Sequence, residues 1–216
     1  MFRIKICGVT CPEDALAVSA AGADCIGLNF YDKSVRYLPP ERAAEVVGSI
    51  PDQVLKAGVF VNAPLAEIRE LAELFALDFV QLHGDEPPEA IAELANLRVI
   101  KAFRLGPEGI ATVAEYLERC YQLAAMPAMV LLDAFQAGAY GGTGQIVDWA
   151  AAREFHDLGA GPSLVLAGGL TPENVRDAIA AVRPAAIDLA SGVESSPGRK
   201  DPAKLAALFE KMKVEG

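Results

Sequence analysis

The chain has 216 residues, 52% of them hydrophobic and 22% charged, which is enough apolar material for a sizeable core and too little charge for a disordered chain. Nineteen Lys and Arg against 29 Asp and Glu leave a net charge of −10, which speaks against nucleic acid or an anionic membrane as partner. The four cysteines lack metal-finger spacing, no basic-then-apolar leader opens the chain and no apolar stretch reaches membrane-spanning length, so the expected setting is a reducing cytoplasm with free thiols.

Taken in order, the elements alternate strand and helix. Phe2-Arg3-Ile4-Lys5-Ile6 has the alternation of a short strand and runs into Cys7 and Gly8. Thr10 and Pro12 then open a helix with Glu13 and Asp14 in its first turn, where acidic residues suit the helix dipole. A thiol at a strand tip facing a helix N-terminus is expected to have a lowered pKa. Alone, a free cysteine is more often a small core residue.

Further apolar runs at 25–30, 56–61, 78–83, 97–103, 129–133, 163–167 and 186–190 read as strands. Between them, Pro39-Pro40 open a second helix, and Asn62 is expected to cap a third with Ile68, Leu71, Leu74 and Phe75 inward. Pro88 starts a fourth helix and Pro107 a fifth. A long loop over 134–144 precedes a sixth helix at Asp148-Trp149. Thr171 as N-cap with Pro172 at the first helical position opens a seventh, and the last begins near Asp201.

Eight short apolar strands alternating with eight helices predict an α/β fold, a closed parallel (β/α)8 TIM barrel forming a single domain over 1–216. Two Rossmann-like halves lose to it because no Gly-x-Gly-x-x-Gly follows an early strand.

Active sites of such barrels form at the C-terminal strand ends. Those positions are Cys7, Asn29, His83, Arg104, Asp133, Gly168-Gly169 and Ser191-Gly192, with Arg36 on the second loop. Glycine turns after strands seven and eight let backbone N–H groups close on an anion, so a phosphate is expected there. Asp133 follows four apolar residues, a partly desolvated position that suits a general acid. Arg36 can clamp a carboxylate bidentately, although its polar loop alone favours a solvated surface arginine. His83 either hydrogen-bonds a ligand or braces the rim, and bracing is the commoner role of such a histidine.

These segments together resemble the phosphoribosylanthranilate isomerase family of tryptophan biosynthesis. The likeness runs through Lys5-Ile6-Cys7-Gly8-Val9-Thr10, Gly27-Leu28-Asn29-Phe30 with Ser34-Val35-Arg36-Tyr37, and Gly58-Val59-Phe60-Val61-Asn62. It continues through Val80-Gln81-Leu82-His83-Gly84, then Leu131-Leu132-Asp133 with Gly141-Gly142-Thr143-Gly144 and Asp148-Trp149. Leu166-Ala167-Gly168-Gly169-Leu170 and Asp188-Leu189-Ala190-Ser191-Gly192-Val193-Glu194 complete it.

The resemblance implies an Amadori rearrangement of N-(5-phosphoribosyl)anthranilate without cofactor or metal. By the same resemblance Asp133 is the general acid, Cys7 the general base and Arg36 the holder of the anthranilate carboxylate. Gly168, Gly169, Ser191 and Gly192 hold the phosphate, and His83 joins the substrate site. Ala190 departs from relatives that carry a hydroxyl or amide there. The expected partner is a small phosphorylated substrate, and the expected state a monomer or homodimer. Three alternatives share the glycine turns. An epimerase-like barrel wants a metal with His and Asp ligands, and only His83 and His156 are present. An indole-glycerol-phosphate-synthase-like barrel relies on catalytic lysines, for which Lys101 is the strand-five nominee. The third is a phosphate-ligand binding protein without turnover.

Overall fold

Strands buried on both faces read as continuous apolar runs, and all eight runs join one sheet. The computed structural model describes residues 1–134, 147–159 and 161–213. The barrel strands are β1 (Ile4–Cys7), β2 (Cys25–Asn29), β3 (Leu55–Phe60), β4 (Phe79–Leu82), β5 (Val99–Leu105), β6 (Met129–Ala134), β7 (Ser163–Leu166) and β8 (Ala186–Leu189). They follow one another around a closed parallel barrel. β8 returns to β1 through Ile4↔Ile187 and Ile6↔Leu189. The helices are α1 (Pro12–Ala21), α2 (Pro40–Gly48), α3 (Leu65–Leu74), α4 (Pro88–Glu93), α5 (Ala111–Gln122), α6 (Trp149–Arg153), α7 (Val175–Val182) and α8 (Pro202–Met212).

Alternation along each strand divides the core in two. Ile6, Ile26, Leu28, Leu82, Val130 and Leu166 point outward and meet Val18, Val46, Ile68 and Val175 of the helices. Cys25, Ala57, Phe79, Ile100, Met129, Leu131, Val165 and Ala186 fill the barrel. The first strand begins two residues later than the pattern suggests. Phe2 instead closes the floor, edge-on to Phe79 with ring centroids 5.4 Å apart.

Several helix starts differ from expectation. Asn62 does not cap α3; Pro64 holds that place, and Asn62 lies at φ +51°. Its side chain accepts the Asp85 N–H at 2.8 Å, because an asparagine next to a rim turn competes well for loop donors. Leu74, expected inward, is 64% exposed, whereas Ile68, Leu71 and Phe75 are buried. α5 starts at Ala111, four residues beyond Pro107. Thr171 Oγ1 accepts the Glu173 N–H at 3.2 Å and so caps a turn, while regular helix waits until Val175. Asp148 does cap α6, accepting from Ala150 and Ala151. After β8 the chain makes a tight 3-10 turn, Ser191–Val193, and an antiparallel hairpin of β9 (Glu194–Ser196) and β10 (Arg199–Lys200). No helix among the described residues is long and apolar enough to cross a membrane.

Candidate active site

Strand alternation decides what the barrel mouth contains. Cys25, Phe79, Met129 and Ala186 face inward, so Gln81, His83, Asp133 and Asp188 on the same registers do too. Lys5 and Cys7 of β1 share that side. Lys5 is fully buried, and its Nζ lies 2.7 Å from Asp188 Oδ2. Asp188 and the thiols nearby hold Lys5 protonated against burial.

Cys7 is half-buried, while Cys11, Cys25 and Cys120 are buried. It pairs with Gly27 of β2, where a Cβ would stand 2.7 Å from its Sγ, so the thiol occupies space that only glycine leaves open. The expected lowering of this thiol by a helix N-terminus is not found. Burial pushes the Cys7 thiol up, the neighbouring Asp188 adds to the rise, and the positive charges of Lys5 and Lys200 pull against it.

Gly8 has φ +75°, and a side chain there would collide with Arg36 Cδ, so the glycine lets Arg36 lie across the end of β1. The loop carrying Arg36 is organised by Asn29 and Ser34. Asn29 accepts the Tyr31 N–H at 2.9 Å and donates to Ser34 Oγ at 3.1 Å, and Ser34 Oγ accepts the Arg36 N–H at 3.1 Å. Arg36 is 7% exposed and therefore not a solvated arginine. Its Nε and Nη2 donate to Glu194 Oε1 and Oε2 at 2.8 and 2.6 Å, a bidentate pair that uses two of its five N–H groups.

On the facing wall, Asp133 is buried, and its Oδ1 accepts the Ala134 N–H at 2.8 Å. His83 Nε2 lies 3.3 Å from Asp133 Oδ2 without the alignment of a hydrogen bond. Gln81 Nε2 is 2.9 Å from His83 Nδ1. Gln81 Oε1, His83 Nε2 and Asp188 Oδ1 are buried with no hydrogen-bond partner among the described residues. Orphaned polar atoms are rare inside proteins, and three of them in one barrel mouth suit a place where a polar ligand completes the bonding.

The two glycine turns meet beside Asp133. Gly168 and Gly169 have φ of +81° and +65°. A Cβ on Gly168 would stand 2.6 Å from the Ala134 nitrogen and 3.0 Å from Asp133 Oδ1. A Cβ on Gly192 would overlap the Leu170 carbonyl, so the Ser191–Val193 turn packs backbone to backbone on the turn after β7. Asn174 secures that turn by donating to the Gly169 carbonyl at 2.9 Å and accepting from Thr171 at 2.9 Å.

Cys7, Arg36, His83, Asp133, Gly168, Gly169, Ser191 and Gly192 thus stand around one rim. Arg104, also expected there, pairs with the exposed Asp85 at 2.8 Å. Gly141-Gly142-Thr143-Gly144 and most of the 134–144 loop lie outside the described residues. Sequence reasoning missed Lys5, Gln81, Asp188, Glu194 and Lys200. All are buried polar residues, and charges at inward strand positions were the signal that could have flagged Lys5 and Asp188. Lys101 points the other way, between Ile100 and Ala102. It donates to the Gly84 carbonyl at 2.8 Å and to Glu86 at 2.9 Å, bracing the outside of the rim. Among the described residues no group of three or more His, Cys, Asp and Glu side chains is placed to hold a metal ion.

Residues 4–211 match the family described as N-(5'phosphoribosyl)anthranilate (PRA) isomerase. The chain is similar to the N-(5'-phosphoribosyl)anthranilate isomerase of Geobacter metallireducens, 47% identical over 99% of this chain and 100% of that protein. The phosphoribosyl anthranilate isomerase of Thermotoga maritima superposes with a TM-score of 0.84 at 38% identity, covering 98% of both chains. A crystal structure of such an isomerase in complex with reduced 1-(o-carboxyphenylamino)-1-deoxyribulose 5-phosphate is 40% identical, with a TM-score of 0.79 over 98% of both chains. With the likeness spanning β1 to α8, the chain belongs to the N-(5'-phosphoribosyl)anthranilate isomerase family.

Proposed function

We propose that this chain converts N-(5'-phosphoribosyl)anthranilate to 1-(2-carboxyphenylamino)-1-deoxyribulose 5-phosphate by an Amadori rearrangement, as a cytoplasmic single-domain enzyme of tryptophan biosynthesis. The observation that carries the reading is the placement of Cys7 and Asp133 on the inner faces of β1 and β6, across one mouth, with the Gly168 turn against Asp133. The reaction needs a proton donor and a proton acceptor with a sugar between them, and that placement supplies them.

Asp133 gives its proton to the ribose ring oxygen, and the C1′–O bond breaks as the anilino nitrogen pushes in its electron pair to form an iminium. Cys7, as thiolate, removes the C2′ proton, and those electrons neutralise the iminium to an enolamine. Tautomerisation yields the ketone. Protons move only between side chains and substrate, so the scheme calls for no cofactor or metal.

The remaining N–H groups of Arg36 meet the anthranilate carboxylate, a second planar anion beside the one it already holds. The backbone of Gly168, Gly169, Ser191 and Gly192 meets the phosphate. His83 reaches the substrate or Asp133 through Nε2, the ring atom without a hydrogen-bond partner among the described residues. The rim belongs to one barrel, so monomer and homodimer are equally compatible with the scheme; a dimeric form is described for the Thermotoga maritima relative.

The test is loss of anthranilate-ribotide fluorescence on adding purified protein. Turnover is expected from the wild type and not from Cys7→Ala or Asp133→Asn. Near wild-type kcat in Cys7→Ala would remove the thiol as base. Ligand-induced stabilisation without turnover in the wild type would leave a phosphate-binding protein instead. The synthase-like alternative loses its support because Lys101 faces away from the mouth.

A further inference from the structure

Lys200 has no part in the scheme above, yet few side chains near the rim are held so firmly. It sits on β10, and its Nζ donates to the Cys7 carbonyl at 2.6 Å, to Glu194 Oε1 at 2.8 Å and to the Ala190 carbonyl at 3.4 Å. Its own backbone N–H donates to Asp14 Oδ2 of α1 at 2.9 Å. Its side chain is fully buried. A buried ammonium is costly and is kept only where anions or dipoles compensate it.

The charges around Cys7 show what is missing. Lys5 is the cation that pulls hardest on the Cys7 thiol, but it is matched one to one by Asp188, 2.7 Å away, which pushes the thiol back up. Cys25 of β2 is kept as a neutral thiol by burial. Asp14 faces the backbone of Lys200, not its ammonium. Asp133 and His83 stand on β6 and beyond β4, next to each other. On the remaining side, Arg36 and Lys200 share one carboxylate, Glu194, which accepts at 2.8 and 2.6 Å from the first and 2.8 Å from the second. Burial draws the Lys200 ammonium down and Glu194 draws it back up; with Lys200 charged, two cations on one anion leave this buried group one negative charge short.

We propose that Arg36, Glu194 and Lys200 together form the counter-charge of the Cys7 thiolate, with Lys200 as the positioning residue that supplies the surplus positive charge. The inference rests on the reading of Cys7 as the base. When Cys7 ionises, its proton passes to solvent, and the thiolate completes the charge balance of the cluster. The bond from Lys200 to the Cys7 carbonyl holds the ammonium at the strand end, near enough for its charge to act on the thiol. The helix after Thr10 is not needed for this; Lys200 works against the burial that holds the thiol up.

The experiment measures the alkylation rate of Cys7 by iodoacetamide as a function of pH, by peptide mass, on the free protein. The buried Cys11, Cys25 and Cys120 serve as internal references. Lys200→Met should move the midpoint of Cys7 alkylation upward by about one pH unit, tenfold less thiolate at a given pH below the midpoint. Glu194→Gln, which removes the anion, should move it downward. Lys200→Met combined with Glu194→Gln keeps one surplus cation and should return the midpoint to the wild-type value. A folded Lys200→Met with an unmoved midpoint would overturn the proposal, as would shifts of the same sign in both single variants that worsen in the double. If Lys200→Met does not fold, the downward shift in Glu194→Gln decides alone, and its absence refutes the counter-charge. Turnover by Cys7→Ala would defeat the base assignment, but it leaves this titration to be judged separately.

Discussion

The two ends of the barrel are built from the same strands and the same inward-facing register, and they do opposite things. At the floor, Phe2, Cys25, Phe79, Ile100 and Met129 fill the interior with apolar atoms, and Phe2 and Phe79 pack edge to face at 5.4 Å. Toward the C-terminal strand ends the inward positions carry Lys5, Cys7, Gln81, His83, Asp133 and Asp188, and three polar atoms there have no hydrogen-bond partner among the described residues. Close packing stabilises the floor, while the mouth keeps desolvated polar groups in place for a ligand, at a cost to stability. Substitutions at the two ends should therefore separate activity from folding.

The sharpest separation is expected from Asp133→Asn and Cys7→Ala. Each should lower kcat by about 10^2- to 10^4-fold, the range of a general acid or base, with unfolding midpoints near wild type. Steady-state kinetics beside thermal melts would show it, and a large loss of stability in either would break the contrast.

Deep in that mouth lies the Lys5–Asp188 pair. Lys5→Met should cost about 3–5 kcal/mol because it strands a buried carboxylate, and Lys5→Met with Asp188→Leu should recover much of that. Urea unfolding of the two variants decides; if the double is worse than the single, the pair is not the buried ion pair its 2.7 Å contact indicates. At the floor, Phe79→Ala should cost about 3–5 kcal/mol while kcat per folded molecule is unchanged. Reduced kcat there would mean that the ends are coupled.

Gly192→Ala should raise KM about tenfold, since the new methyl pushes the turn after β8 off the Leu170 carbonyl, an overpacking strain of about 1–3 kcal/mol. An unchanged KM would move the phosphate elsewhere. The smallest effect is on pH dependence. Burial pushes the Glu194 carboxyl up, but Arg36 and Lys200 pull it further down, below the usual carboxylate range. A folded-state value below the unfolded one means that its contribution is complete above about pH 4.3 and is lost as pH falls through the folded value. Glu194→Gln lacks that contribution, so its urea midpoint should vary less between about pH 5 and 3 than the wild type's. An equally steep wild-type-like loss would assign acid sensitivity to other carboxylates.

The barrel itself was legible in the chain because parallel strands covered on both faces must be continuous apolar runs, and such runs are local. The strand ends Cys7, His83 and Asp133 and the turns at Gly168 and Gly192 could be placed at the rim for the same reason, since a strand end or a glycine turn is marked by its immediate neighbours; Arg36, on a polar loop, was marked only by the family resemblance. What the chain alone did not disclose are relations across it. Cys7 and Lys200 are 193 positions apart, and Arg36 and Glu194 are 158 apart. Whether Cys7 gains more from a helix start or loses more to burial, whether Arg36 meets water or a carboxylate, and whether Lys101 faces the mouth or the outside all depend on which distant groups close around them. Electrostatic energies inside a protein are set by those distances and by the water excluded, quantities that exist only once the barrel has closed.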